Sequence, residues 1–100
     1  MPNKSRAERE LEDFDQIFKA LAHPSRRHIL VVLRSRGNKM TAGEIQQRFG
    51  HKWPTITRHL RQLENAGLVN VRKSGREQIY TLNLARLKGV IYNWLKWFES

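Results

Sequence analysis

The 100 residues contain no cysteine. That excludes disulfides, thiolate metal sites and thiol redox sensing. No apolar run approaches the roughly 18 residues of a membrane span. The opening Met-Pro-Asn-Lys-Ser-Arg lacks the apolar stretch of a signal peptide. A cytoplasmic protein is expected. Chemistry is equally thin: there is no Gly-rich phosphate loop and no thiol nucleophile. The nine acids are crowded at one end. Residues 1–15 hold five of them (Glu8, Glu10, Glu12, Asp13, Asp15) against three bases, and Glu8, Glu12 and Asp15 read as a solvated helix face. The chain is not expected to be an enzyme.

What is abundant is positive charge. The net charge is +10 and the pI about 10.9. Because the first fifteen residues are slightly acidic, the rest carries sixteen bases against four acids. That balance points to a polyanion as partner. At this length one domain over residues 1–100 is expected, and 39% hydrophobic residues allow only a modest core.

Helical periodicity dominates. Leu11, Phe14, Ile17, Phe18 and Leu21 share one face of a first helix over about 6–22. Pro24 suits the first turn of a second, whose Ile29, Leu30, Val32 and Leu33 point inward before Gly37. Asn38 and Lys39 read as a link to a third helix. Thr41 is its N-cap, Glu44 completes a capping-box spacing, and Ala42, Ile45 and Phe49 are its apolar contacts.

A tight turn at Gly50 then leads to a fourth helix opening near Pro54 and ending at Gly67. At about 100° per residue, Ile56, Leu60 and Leu63 form a compact buried stripe. Thr55, Arg58, Arg61 and Gln62 lie opposite, with Trp53, Thr57 and His59 on the flanks. Residues 41–67 therefore read as a helix-turn-helix, a unit that lays its second helix in the DNA major groove.

Arg58 is the leading base-reading candidate, because arginine pairs bidentately with guanine O6 and N7. Thr55, Thr57, Arg61 and Gln62 suit bases or phosphates, and Lys52 and Trp53 stand at the helix start. After Gly67 the period becomes two, giving strands around Leu68–Val71 and Ile79–Leu82. The turn between them carries Arg72, Lys73 and Arg76, cations suited to phosphates rather than to sequence reading. The region of about 68–82 is thus a two-stranded wing.

The last segment, about 84–98, is helical. Its Leu87, Ile91, Trp94, Leu95 and Phe98, with Leu84, Val90 and Trp97, fill an arc of roughly 160°, wider than one core needs. The excess predicts a symmetric dimer seam shared with the first helix: Leu11, Phe14, Phe18, Leu87, Ile91, Trp94, Leu95 and Phe98. A cap on the monomer's own core is the alternative use of that face.

Three stretches carry a family resemblance. They are Phe18-Lys-Ala-Leu-Ala-His-Pro-Ser-Arg-Arg-His-Ile-Leu, anchored by Pro24 and Arg27; Pro54-Thr-Ile-Thr-Arg-His-Leu-Arg-Gln-Leu-Glu-Asn-Ala-Gly-Leu-Val; and Gly75-Arg-Glu-Gln-Ile-Tyr-Thr-Leu. Together the chain resembles the ArsR-type winged helix-turn-helix repressors over most of residues 14–98. The resemblance implies a mainly α fold, five helices plus a two-stranded wing, in a homodimeric bacterial repressor of an operator with approximate two-fold symmetry.

Many members of that family hold metals on the third or last helix. Here residues 41–49 offer only Glu44, and residues 84–98 have neither Asp nor His. His23 with His28, and His51 with His59, are not spaced i, i+4. The resemblance is therefore to the non-metal-sensing branch, which includes autorepressors; neither metal nor cofactor is expected, and no effector is indicated. Lys52 stands where the family often has a Ser N-cap. Two other functions fit the same features: a nucleic-acid-binding winged helix without sequence preference, and a protein-interaction module docking through the aromatic last helix.

Overall fold

The computed structural model describes residues 3–50 and 53–99. Helix α1 (Arg6–Leu21) begins at a capping box: Ser5 Oγ accepts the Glu8 N–H, and the Glu8 carboxylate accepts the Ser5 N–H. Two orphan donors of the first turn are thereby satisfied. Helix α2 (Pro24–Ser35) has proline in its first turn, as expected, and an unusual cap, His23, whose Nδ1 accepts the Ser25 N–H at 3.1 Å.

Residues 38 and 39 do more than link. Lys39–Thr41 is a strand, β1, and the sheet has three strands, not two. Strands β2 (Val69–Ser74) and β3 (Glu77–Leu82) form the wing hairpin, and β1 pairs antiparallel with the other edge of β3, in the order β1-β3-β2. The physical reason is burial. Met40, 1% exposed, lies opposite Tyr80 in the register, and the Leu82 N–H reaches the Asn38 carbonyl at 2.8 Å.

Thr41 ends β1 and caps helix α3 (Ala42–Phe49) in the expected capping box with Glu44. Those hydrogen bonds, backbone first, hold the Glu44 carboxyl below its ordinary range. Helix α4 (Trp53–Asn65) buries Ile56, Leu60 and Leu63. It stops where Gly67, at φ +76°, lets the Leu68 N–H return to the Leu63 carbonyl. Helix α5 (Leu84–Leu95) is capped by Asn83 and tightens into a 3₁₀ turn over Lys96–Phe98.

One core gathers all of this. Ile17, Ile29, Leu33, Ile45, Leu60, Leu63 and Leu68 are almost wholly buried. Among the described residues no helix is long and apolar enough to cross a membrane. The fold is the mainly α winged helix-turn-helix, with the third strand as its departure from expectation.

Candidate nucleic-acid interface

Helix α4 owes its orientation to its buried stripe. With Ile56, Leu60 and Leu63 turned into the core, Thr55, Arg58, Arg61 and Gln62 are all left exposed. These four share the outward face, as the 100° wheel places them. The flanking candidates are placed differently. The Thr57 hydroxyl donates to the Trp53 carbonyl at 2.9 Å, one turn back in its own helix, and Trp53 is half-buried against the core. Both are engaged within the chain. Lys52 and His51 lie outside the described residues.

The wing turn is short. Ser74 pairs with Glu77, so Gly75 and Arg76 make the two-residue connection, and Gly75 has the positive φ (+61°) such turns require. Arg72, Lys73 and Arg76 are all exposed. Because successive strand side chains point to opposite faces, Arg72 and Lys73 put one cation on each side of the ribbon.

Behind α4 lies a network that sequence reading missed. Arg26 of α2 spans three elements. Its Nε donates to the Ala20 carbonyl (2.7 Å), its Nη2 to the Lys19 carbonyl (3.2 Å), and its Nη1 approaches His59 Nδ1 at 3.4 Å. The His59 and His23 rings are 4.3 Å apart. Burial lowers the His59 pKa below its ordinary value, helped by the nearby His23, Arg26 and Arg58. It is therefore neutral at neutral pH.

At the other end of α4, Arg86 Nε donates to the Ala66 carbonyl (2.8 Å). Its Nη2 reaches Asp13 (3.4 Å) and Gln16 (3.3 Å) of α1. Arg27, an anchor of the family resemblance, donates to the Leu21 carbonyl at 2.6 Å and so ties α2 to the end of α1. Arg26 and Arg86 thus fix where α4 sits relative to α1.

The residues expected at a subunit seam divide in two. Leu11 (55% exposed), Trp94 (37%), Leu95 (44%) and Phe98 (71%) present apolar surface, as does Trp97 (64%). Phe18 is partly buried and meets Trp94 edge-on at 5.0 Å, while Trp94 meets Phe98 in the same way. Leu87 and Ile91 pack partly into the core. Phe14, 4% exposed, belongs to the chain's own core and has almost no surface left for a second chain.

A helix-turn-helix domain model matches residues 21–72. The chain is 37% identical over 81 residues to the transcriptional repressor SdpR of Bacillus subtilis (strain 168), covering 81% of this chain and 87% of that one. It is also 32% identical over 72 residues to the arsenical resistance operon repressor of Staphylococcus xylosus, covering 72% of this chain and 67% of that one. The chain belongs to the ArsR family of winged helix-turn-helix transcriptional regulators.

Solved structures of ArsR-like regulators superpose on most of the chain. An ArsR-like transcriptional regulator from Rhodococcus sp. RHA1 matches with a TM-score of 0.75 and 28% identity, over 86% of this chain and 79% of that one. Mb0332 from Mycobacterium bovis, described as a homodimeric winged helix-turn-helix DNA-binding domain, matches with a TM-score of 0.71 and 27% identity, over 96% and 91%. These relatives are regulators rather than enzymes, and this ArsR-family chain is likewise no enzyme.

Proposed function

We propose that this regulator is a cytoplasmic, sequence-specific DNA-binding homodimer that represses by occluding a promoter of approximate two-fold symmetry, and that it does so without a metal. The observation that carries the reading is the division of α4. Its apolar stripe is locked in the core, and Thr55, Arg58, Arg61 and Gln62 face outward with the hydrogen-bonding groups that base edges and phosphates accept. SdpR is a repressor and Mb0332 a homodimer, which supports both halves of the proposal.

The dimer follows from the apolar surface of α5 and the turn after it. Two such faces, pressed together, would bury Trp94, Trp97 and Phe98 and hold two copies of α4 for successive major grooves, roughly 34 Å apart. The metal-free reading rests on Glu44, the sole acid of α3. Its carboxylate is already committed to the Thr41 N–H as half of a capping box.

A fluorescence-anisotropy titration near physiological salt tests the proposal, comparing the DNA upstream of the gene with a scrambled duplex. A preference of about 10³ or more for the upstream DNA is expected. With six to ten phosphates neutralised, affinity should fall by about 10³–10⁵ between 50 and 200 mM salt. Equal binding to both duplexes would replace this reading with an architectural one. Absence of binding, with a monomer in sedimentation, would instead favour a module that docks another protein on its aromatic helix.

A further inference from the structure

A notch of about 180 Å³ lies between α1, Arg26 of α2 and the C-terminal end of α4, between the two arginine networks. Its floor is made by Ala20 and Ala66, each 5% exposed, whose short side chains leave space that larger ones would fill. Around the floor stand two cations, Lys19 and Arg26, and three carboxamides, Gln16, Gln62 and Asn65. No carboxylate lines it. Asp13, one turn before Gln16, is engaged by Arg86.

Arg26 is held rigidly over this space. Its described partners use one N–H on each of its three nitrogens: Nε to Ala20, Nη2 to Lys19 and Nη1 towards His59. A guanidinium has five such donors in a fixed fork, so among the described residues two remain for a ligand. A planar fork already fixed by three contacts loses little freedom on binding an anion bidentately. Lys19 adds a mobile charge, and the carboxamides supply further N–H donors.

We propose that this notch is an anion-binding site for a single phosphate or small carboxylate group, which bridges Lys19 of α1 and Arg26 of α2 to Gln62 and Asn65 at the end of α4. Its size admits a group of that scale, since a water occupies about 30 Å³. Two sources offer the same chemistry: a free small anion acting as effector, or a DNA backbone phosphate, Gln62 being shared with the reading face. In either case the ligand ties the reading helix to α1. The connection to operator binding rests on the function proposed above; the anion site itself does not.

The test is a titration of ¹⁵N-labelled protein with inorganic phosphate at constant ionic strength, without DNA. Saturable shifts are expected at the amides of Lys19, Ala20, Gln62 and Asn65. In Lys19→Gln, an exposed and fold-neutral change, affinity should weaken about tenfold, the equivalent of one charge-assisted hydrogen bond. Shifts that grow linearly with phosphate, or that persist unchanged in both Lys19→Gln and Gln62→Leu, would overturn the proposal.

DNA titrations then assign the source. A salt slope smaller by about one in Lys19→Gln marks a backbone phosphate. An unchanged slope, with operator affinity altered by free phosphate, marks a small-molecule effector. If DNA binding fails altogether while the phosphate shifts saturate, the site stands and the DNA-binding function falls.

Discussion

The two exposed ends of this molecule are built on opposite principles. On α4 the apolar stripe of Ile56, Leu60 and Leu63 is sunk into the core, and the opposite face of Thr55, Arg58, Arg61 and Gln62 is charged or hydrogen-bonding. On α5 and the 3₁₀ turn after it the polarity is reversed: one face packs inward, yet Trp94, Leu95, Trp97 and Phe98 still present apolar surface to the outside. A surface that needs only water has no use for the second arrangement. The difference is the one the proposed function requires, a face that meets a polyanion and a face that meets an apolar partner, and Arg26 and Arg86 tie the elements between them.

The comparison can be broken most severely at the apolar end. Trp94→Ala combined with Phe98→Ala should produce a monomer in sedimentation equilibrium at micromolar concentration. Operator affinity should fall by about 10²–10⁴, the avidity lost when two half-sites are no longer bound together. A double variant that stays dimeric would place the seam elsewhere.

At the charged end, Arg58→Ala should cost about 1–3 kcal/mol on operator DNA and relax preference at one base pair. The check is a set of anisotropy titrations on operator and random duplexes. Equal losses on both would make Arg58 a phosphate contact instead.

The link between the ends is probed at Gly67. A Cβ there would sit 2.7 Å from Arg86 Nε, on a residue with φ +76°. Gly67→Ala is expected to destabilise by about 1–2 kcal/mol from the left-handed backbone alone, with displacement of Arg86 in addition; urea unfolding measures it. Asn, which tolerates that conformation better, still meets Arg86 and should also destabilise.

The smallest effect concerns pH. Since the folded His59 pKa is lowered from the usual 6.5, the unfolded chain takes up the proton first. The stability tied to neutral His59 is therefore complete above about 6.5 and lost as pH falls below it. Thermal melts between pH 7.5 and 5.5 should show a shallower decline for His59→Gln than for the natural chain.

Much of this was legible in the sequence because it is local. The capping box at Thr41 occupies four consecutive residues, the stripe of α4 repeats at helical spacing, and Gly67 and Gly75 mark their turns. Strand β1 was not legible. Three residues cannot display a period of two, and Lys39–Thr41 is a strand only because Ile79–Thr81 lies alongside.

Periodicity likewise cannot say which part of a continuous apolar stripe faces the chain's own core. That is why Phe14 and Leu11, one helical turn apart, end up respectively buried and exposed. The arginine networks were invisible for a related reason. Arg26 reaches His59, thirty-three positions away, and Arg86 reaches Asp13, seventy-three away. Such contacts follow from tertiary packing, and no spacing rule encodes them.

Hydroxyl-radical footprinting on the DNA upstream of the gene tests the central claim most directly, since it reads both faces at once. Two protected patches about one helical turn apart, related by two-fold symmetry, are expected, and both should disappear in the Trp94→Ala, Phe98→Ala variant. A single patch, or uniform protection along the duplex, would contradict it.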